Sequence, residues 1–248
     1  MAFTVEALAS KPFVQKALSH PLQVYSVLSF FFGVDLPEHH RTLQENGGAT
    51  VSQRMDALWY GGGPTYDALC QPFAETIRMV GRSYTTDIQQ PLSAEWNESV
   101  DGKVAQLILT DQLSRNIFRG TPEAFGYEDI SLQLARSLGS ECRKEKPDLT
   151  GEFYPPYLSF VATGLMHSED LNDLNACIDV LHHCKARFPE MENGWNFQLQ
   201  FLNDHKAVVE RFGRYPHRNK LKNRPSTPEE EEWLNDKDNL PGWAKSQG

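Results

Sequence analysis

The chain has 248 residues, a formal net charge of -9 and a composition that is 40% hydrophobic and 11% aromatic. This apolar content excludes a disordered chain and is enough to bury one sizeable core, so we expect a single domain over residues 1–248. The acidic balance excludes a general nucleic-acid binder, because such proteins need a basic surface that displaces counterions from phosphates.

Cysteine usage and the apolar segments indicate a cytoplasmic protein without a membrane partner. The four cysteines contain no C-x-x-C pair, and the N-terminus lacks the basic and then apolar pattern of a secretory signal. We therefore expect free thiols in a reducing compartment, with Cys177 and Cys184 packed on one face of a helix. The longest apolar run, Val24 to Val34, is too short for a bilayer, which needs about 20 residues, and predicts a buried helix.

The first part of the chain contains two predicted helices separated by a loop. Pro21 opens a segment with apolar residues at helical spacing, and Gly33 ends it. Residues 35–52 carry an Asn-Gly-Gly turn signal and are predicted to be a loop insertion. Apolar residues then recur at helical spacing from Tyr66 to about Met79, and Gly81 is the predicted stop.

The middle of the chain contains a helix that is apolar on nearly every side. It runs from about Asp101 to Phe118, so it is predicted to be the central buried helix. Thr121, followed by proline and glutamate, opens the next predicted helix, which reaches Leu138. Residues 142–152 are charged, contain proline and glycine, and are the best candidate for a mobile connection.

Four further helix patterns follow. One runs from Tyr157 to Met166, and another is predicted from Ser168 to about Phe188. The next ends at Gly213, and its apolar stripe consists of Phe197, Phe201, His205, Val208 and Phe212. Residues 227–230 combine a cap, a proline and a capping-box glutamate, which predicts a short terminal helix. Because no strand run or glycine-rich nucleotide fingerprint appears, we predict an all-α fold of antiparallel helical hairpins around the central helix.

The central helix carries the first group of polar residues. Asp111 and Arg115 are one helical turn apart and share a face with apolar residues, so their ion pair is predicted to be partly buried. A buried pair is costly unless other groups complete it. One interpretation is a structural salt bridge, and the other is that Arg115 and Arg119 form a fork that binds an anion.

The second and third groups lie in the last third of the chain. In the second, Ser168 and the acids Glu169 and Asp170 are typical of a first helical turn, whereas His167 lies just outside the cap and could transfer protons. His205 lies on the apolar stripe, where a lone histidine is more often a core residue. The third group follows it, and its cations exceed what helix capping requires: Arg211, Arg214, His217, Arg218 and Asn219.

At these segments the chain resembles the family called domain of unknown function 924. The matching motifs are Phe30-Phe31-Phe32-Gly33, Trp59-Tyr60, Asp111 to Thr121, His167 to Asp170 and Arg211 to Asn219. The order and spacing match from about Val27 to Trp233. The chain departs from the family pattern at Leu113-Ser114, where the family has Phe-Pro, in the first motif, which lacks its tryptophan, and in the insertion at 35–52. The resemblance implies a helical array similar to tetratricopeptide repeats and implies no particular reaction.

Two functional hypotheses follow, with a purely structural polar lattice as a third. The first is a cofactor-independent hydrolase or lyase that uses acid-base chemistry on a small anionic metabolite. Its acid-base residues would be His167, Asp111, Glu169, Asp170, His205 and His217. Its anion-binding residues would be Arg115, Asn116, Arg119, Arg211, Arg214, Arg218 and Asn219.

The alternatives differ in what the arginines would do. A tetratricopeptide-like binding module would present exposed arginines in a concave groove to an acidic peptide or partner. A metal-dependent variant of the enzyme would use His167, Glu169, His205 and His217, although no H-x-x-x-H or H-E-x-x-H spacing supports it, so we expect no metal or other cofactor.

Overall fold

The computed structural model describes residues 4–36, 55–85 and 91–245. Within these ranges the chain is helical, and the sole β feature is an isolated bridge between Ser99 and Thr150. This confirms the predicted all-α class. Of the predicted insertion at 35–52, residues 37–52 lie outside the described ranges.

The helices follow one another with short connections. In chain order they are α1 Val5–Ala9, α2 Pro12–Ser19, α3 Val24–Phe32, α4 Gly63–Cys70, α5 Ala74–Ser83, α6 Ala94–Asn97, α7 Val100–Ile108, α8 Ser114–Ile117, α9 Glu128–Glu141, α10 Pro155–Met166, α11 Leu171–Arg187, α12 Glu192–Phe212, α13 Pro228–Asn235 and α14 Gly242–Lys245. Residues 55–59 are also helical. Single turns of 3-10 helix cover Gln71–Phe73, Pro122–Phe125, Pro189–Met191 and Pro216–Arg218.

Helix α3 is part of one contiguous apolar core. Eight of its side chains are buried, and Gly33 ends it in a left-handed conformation with φ 63°. The indole N–H of Trp59 donates to the carbonyl of Phe31 at 2.8 Å, and the two rings stack at 4.4 Å. Cys177 and Cys184 are buried free thiols, as their spacing predicted. In the part of the chain that the structure describes, no helix is both long and apolar enough to cross a membrane.

The segment predicted as one helix from Tyr66 to Met79 is two helices. The break falls at Gln71–Phe73, where Pro72 lacks the N–H that a continuous helix would use. Gly81 does not stop the second helix and lies inside α5. A β-carbon at Gly81 would lie 2.7 Å from the ring of Tyr127, so a larger residue here would have to displace that ring.

The predicted central helix is interrupted by one wide turn. Helix α7 continues into a π-helical turn, Leu109–Leu113, and then into α8. The hydroxyl of Thr110 donates to the carbonyl of Gln106 at 2.8 Å, and that of Ser114 donates to the carbonyl of Thr110 at 2.9 Å. Such bonds compete with the backbone ladder and are a local cause of helix distortion. Insertions of this kind are frequent at functional sites.

The second half of the domain is a series of packed helices, α9 to α12, that rests on α7. Two starts differ from the prediction: Thr121 precedes the 3-10 turn and α9 begins at Glu128, while Asp170, not Ser168, caps α11. Two other boundaries agree with it, because Gly213 ends α12 with φ 69° and Thr227 forms the capping box at the start of α13. The connection at 142–152 is anchored by the backbone bonds of Thr150 with residues 98 and 100.

Gly102 marks the closest approach of α6 and α7 and supports a stability prediction. A β-carbon there would lie 2.2 Å from the carbonyl oxygen of Glu95 and 2.6 Å from the Cα of Trp96. Because these are backbone atoms, we expect Gly102→Ala to lower the free energy of unfolding by at least about 1–3 kcal/mol in urea titrations. Gly194→Ala is the control, since no atom lies within 4 Å of its β-carbon. It should be stabilising, by about 0.5–1 kcal/mol. Equal effects of the two substitutions would refute the packing argument.

Candidate functional site

A carboxylate and an imidazole from distant segments meet at the wide turn. The Nδ1 atom of His167 lies 2.8 Å and 2.9 Å from the two carboxylate oxygens of Asp111. The Asp111 side chain is fully buried, whereas the His167 side chain is 19% exposed. Among the residues that the structure describes, none forms a hydrogen bond with Nε2 of His167. The imidazole is therefore fixed at Nδ1, while its Nε2 is not engaged by any residue that the structure describes.

Backbone hydrogen bonds fix the position of His167. It follows the last residue of α10, and its N–H donates to the carbonyl of Thr163 at 3.1 Å. Its own carbonyl accepts a hydrogen bond from Nη1 of Arg218 at 2.8 Å. The hydroxyl of Tyr215 donates to the carbonyl of Met166 at 2.7 Å. The third polar segment of the sequence thus holds the second one against the central helix.

Two buried arginines lie next to this pair. Arg115 contacts Asp111 at 3.2 Å and Glu128 at 3.6 Å, and Arg218 contacts Glu128 at 3.0 Å. Lys222 also pairs with Glu128. Both guanidinium groups lie over the ring of Phe125, at 4.8 Å and 5.6 Å. This is a single cluster of cations around two carboxylates.

Charges do not balance within the cluster. Three cations, Arg115, Arg218 and Lys222, face two carboxylates, Asp111 and Glu128, which leaves one surplus positive charge. The Nε atoms of both arginines are buried without a hydrogen-bond partner in the described part of the chain. Burial lowers the pKa of Arg218, and the charge of Arg115 lowers it further. A buried surplus charge is costly unless other groups compensate for it.

The ionisation of the pair follows from its surroundings. Burial pushes the pKa of Asp111 upward, but His167 and Arg115 outweigh burial and hold that pKa at about 2. Burial lowers the pKa of His167, and the charge of Asp111 offsets this in part. At neutral pH the carboxylate is therefore ionised and the imidazole neutral. A neutral ring that donates from Nδ1 carries its free lone pair on Nε2.

His205 and His217 lie in an aromatic enclosure with Tyr215 and Trp243. The His205 ring stacks on Trp243 at 3.9 Å, and His217 lies 5.3 Å from the same indole. Burial lowers the pKa of His205 to about 3. Burial and the charge of Arg218 lower the pKa of His217 to about 2. Both rings are neutral and shielded, so neither is as well placed as His167 to meet a ligand.

Glu169 and Asp170 have structural partners. Glu169 pairs with Arg224 at 2.6 Å and accepts the backbone N–H of Tyr215 at 2.8 Å. Asp170 accepts the N–H of Asn172 at 2.8 Å and so caps α11. Glu169 and Asp170, which follow His167 in the sequence, therefore have structural roles in the fold.

The remaining predicted anion-binding residues also pair within the protein. Asn116 and Arg119 both bind the carboxylate of Asp67, at 2.8 Å and 2.7 Å. Arg214 binds Glu230 at 2.6 Å, and Asn219 donates to the same carboxylate at 3.2 Å. Arg211 pairs with Glu229 on the surface. Only Arg115 and Arg218 of the predicted set lie at the His167 cluster among the residues that the structure describes.

Sequence reasoning missed Glu128, Lys222 and Phe125. Glu128 is in the first turn of α9, where the helix dipole alone explains an acid. Lys222 lies shortly after the basic segment that ends at Asn219. This proximity is the signal from which the sequence could have indicated Lys222 as part of the site. The metal-dependent variant gains no support, since no group of three or more His, Cys, Asp or Glu in the described ranges could hold a metal ion.

The buried histidines predict how stability depends on pH. His205 and His217 bind protons more weakly in the folded than in the unfolded chain, whose histidine pKa is 6.5. As pH falls from 6.5 toward about 3, the unfolded chain takes up protons first, so the free energy of unfolding falls. Each histidine should add a slope of up to about 1.4 kcal/mol per pH unit. Urea titrations at a series of pH values should give a shallower slope for the variant with both His205→Gln and His217→Gln than for the wild type. An unchanged slope in the double variant would contradict this assignment.

Comparison with known proteins shows which family the chain matches and which solved structure it is similar to. The sequence profile of a family described as "Bacterial protein of unknown function (DUF924)" matches residues 27–238, which include all three polar segments. No curated protein matches the chain. Among solved structures, the chain is similar to a protein of unknown function from Agrobacterium tumefaciens. The two are 23% identical, the match covers 76% of this chain and 98% of that chain, and the TM-score is 0.49.

Proposed function

Because the chain belongs to the DUF924 family of bacterial proteins, whose function is unknown, we propose a function from the geometry of the candidate site. We infer that the protein is a cofactor-independent enzyme of the hydrolase or lyase type. It would act on a small anionic metabolite, with His167 as the general base. The single observation that carries the proposal is a neutral imidazole whose Nδ1 is fixed by a buried carboxylate, whose side chain is 19% exposed and whose Nε2 has no hydrogen-bond partner among the described residues.

Each member of the pair has a distinct role in this proposal. Asp111 accepts a hydrogen bond from the Nδ1–H group and so keeps His167 in the tautomer whose Nε2 can accept a proton. In a hydrolysis, Nε2 would take a proton from water while the water oxygen bonds to the substrate and the leaving group departs with the electrons of the broken bond. In an elimination, Nε2 would take a proton from the carbon next to the leaving group, and the electrons of that C–H bond would form the double bond as the leaving group departs. In either case the imidazolium would then return the proton to the leaving group. Asp111 then stabilises the imidazolium that forms, and general-base catalysis of this type contributes roughly 10²–10⁴-fold.

Arg115 and Arg218 would act on the negative charge that develops in the reaction. They are buried, so their surplus positive charge is poorly screened by water and acts strongly at short range. Their stacking on Phe125 and their bonds to Glu128 hold them in place before the substrate arrives. Such preorganisation is what electrostatic catalysis requires.

The binding-module alternative is supported less well. A module for acidic peptides needs exposed, unpaired arginines along a groove. Here Arg115 and Arg218 are buried, and Arg214 is paired with Glu230. The ion pairs of Arg119, Arg211 and Arg214 fit the structural interpretation of the polar segments. The buried Arg115 and Arg218 fit a role in catalysis.

The test is a turnover screen with matched variants. Purified protein would be assayed with p-nitrophenyl esters and phosphates for hydrolysis, and with hydroxy acids for elimination of water. We expect one class to be turned over by the wild type and by His20→Gln, but not by His167→Gln. If no substrate of either class showed turnover that depends on His167, the proposal would fail.

A further inference from the structure

Arg218 uses only one nitrogen of its guanidinium group for hydrogen bonds within the protein. Its Nη1 atom donates to Oε1 of Glu128 at 3.0 Å and to the carbonyl of His167 at 2.8 Å. Its Nε and Nη2 atoms form no hydrogen bond with any residue that the structure describes. These two atoms carry parallel N–H bonds along one edge of the planar group, and such an edge matches the two oxygens of a carboxylate. Arg218 therefore presents an unpaired carboxylate-binding edge next to His167.

Other arginines of the chain show what this edge binds. Nε and Nη2 of Arg136 donate to the two carboxylate oxygens of Asp173, both at 2.7 Å. The same two atoms of Arg214 donate to the two carboxylate oxygens of Glu230, at 2.6 Å and 2.8 Å. In both cases an acidic side chain of the protein occupies the edge. At Arg218 no acidic side chain within the described ranges does so.

The unpaired edge belongs to a buried side chain. Arg218 is 3% exposed, and its Nε atom is enclosed by the protein. Buried donors in native proteins nearly always have a partner, so an unpaired one favours an acceptor from outside the chain. The Nη2 atom also lacks a partner but is not among the enclosed atoms. An anion can therefore reach Nη2 from solvent, and it can reach Nε once the surrounding side chains shift.

Ring contacts hold this guanidinium group in place, and its pairing distinguishes it from its neighbour. Its Cζ atom lies 4.5 Å from the ring centre of Tyr215 and 5.6 Å from that of Phe125. Arg115 offers no such edge, because its Nη2 atom already contacts Asp111 at 3.2 Å and Glu128 at 3.6 Å. The position for a bidentate ligand is thus at Arg218.

We propose that the Nε and Nη2 edge of Arg218 binds the carboxylate group of the substrate, a small carboxylic acid that carries one negative charge. This inference rests on the proposed function, because it takes the ligand to be the substrate, and it adds the chemical class. One negative charge fits because three cations exceed two carboxylates by one in this cluster. A phosphate monoester, with a charge of about -1.5 to -2 at neutral pH, would exceed that surplus.

NMR of the arginine Nε–H groups in the full-length protein tests the edge, with acetate as the probe. Acetate should shift the Arg218 signal in a saturable manner, and the loss of that signal in Arg218→Lys assigns it. Arg214 is the matched control, because Glu230 already occupies its edge and its signal should not move. Acetamide, which has a similar shape but no charge, should bind about tenfold or more weakly than acetate. Inorganic phosphate should also bind more weakly.

Calorimetry of the variants gives the second measurement. Arg218→Lys keeps the charge but cannot offer two parallel N–H bonds, so acetate affinity should fall by about tenfold or more. Arg214→Lys should retain the affinity of the wild type. Because the NMR shift is measured on the wild type, the result does not depend on how well Arg218→Lys folds.

The outcomes separate this edge from the proposed chemistry. Acetate binding that persists in His167→Gln and is lost in Arg218→Lys supports the edge, even if the turnover screen finds no substrate. An Arg218 signal that acetate moves no more than that of Arg214 overturns the inference and leaves the His167 proposal to its own test. Tighter binding of phosphate than of acetate overturns the carboxylate class.

Discussion

Replacement of Asp111 by asparagine should lower the free energy of unfolding by about 3–5 kcal/mol, because it removes one partner from a buried ion pair. The Asp111 carboxylate is fully buried and is the closest anionic partner of Arg115, at 3.2 Å, with Glu128 next at 3.6 Å. Without Asp111, Arg115 keeps its charge in a dry environment and Glu128 must compensate for three cations alone. Urea unfolding of the purified variant measures the loss.

The same substitution should also impair the base. Asparagine can present either an oxygen or an N–H to Nδ1 of His167, so the tautomer with a free Nε2 is no longer enforced. Asp148→Asn is the matched control, since Asp148 is exposed and pairs with Lys144 on the surface. It should lose far less stability. Equal losses for the two variants would contradict a buried, charged Asp111.

Replacement of His167 by glutamine should reduce kcat/KM by roughly 10²–10⁴-fold for whichever substrate the turnover screen identifies. Glutamine retains an N–H that can donate to Asp111 but has no lone pair of comparable basicity. The cost in folding free energy should stay near that of one hydrogen bond to a charged group, about 1.5–3 kcal/mol. Rate and stability should therefore change by very different amounts, and paired assays of turnover and urea unfolding measure both.

Arg214→Ala is the reciprocal control for this experiment. Arg214 belongs to the third polar segment, yet it binds Glu230 at 2.6 Å and 2.8 Å and the carbonyl of Pro225 at 2.9 Å. It should weaken the attachment of α13 and leave kcat unchanged. If Arg214→Ala removed turnover while His167→Gln did not, the assignment of roles to these two segments would be reversed.

The helices could be predicted well where punctuation and periodicity agree. Gly213 closes α12, and Thr227 with Glu230 caps α13, as their local patterns indicated. The apolar stripe of α12 was less informative, because Phe197 and Phe201 are exposed although they share the spacing of buried residues. Periodicity reports which residues share a face but not whether another element covers it.

The site was harder to predict because its geometry is not local. The pair Asp111 and Arg115 follows from helical spacing, whereas the bond from His167 to Asp111 joins residues 56 positions apart. The wide turn at Leu109–Leu113 leaves no signature in the hydrophobic pattern. Glu230 illustrates a second limit, since one carboxylate serves both a capping box and Arg214. Because the capping box already explains Glu230, the sequence gives no reason to expect its long-range partner Arg214.

The central claim is that His167 is a neutral base held by Asp111, and nitrogen NMR of its imidazole tests this claim without a known substrate. At pH 7 we expect an uncharged ring with the proton on Nδ1 and an unprotonated Nε2, which becomes protonated only at a pH below the ordinary histidine pKa of 6.5. A ring that is cationic at pH 7, or that carries its single proton on Nε2, would contradict the account.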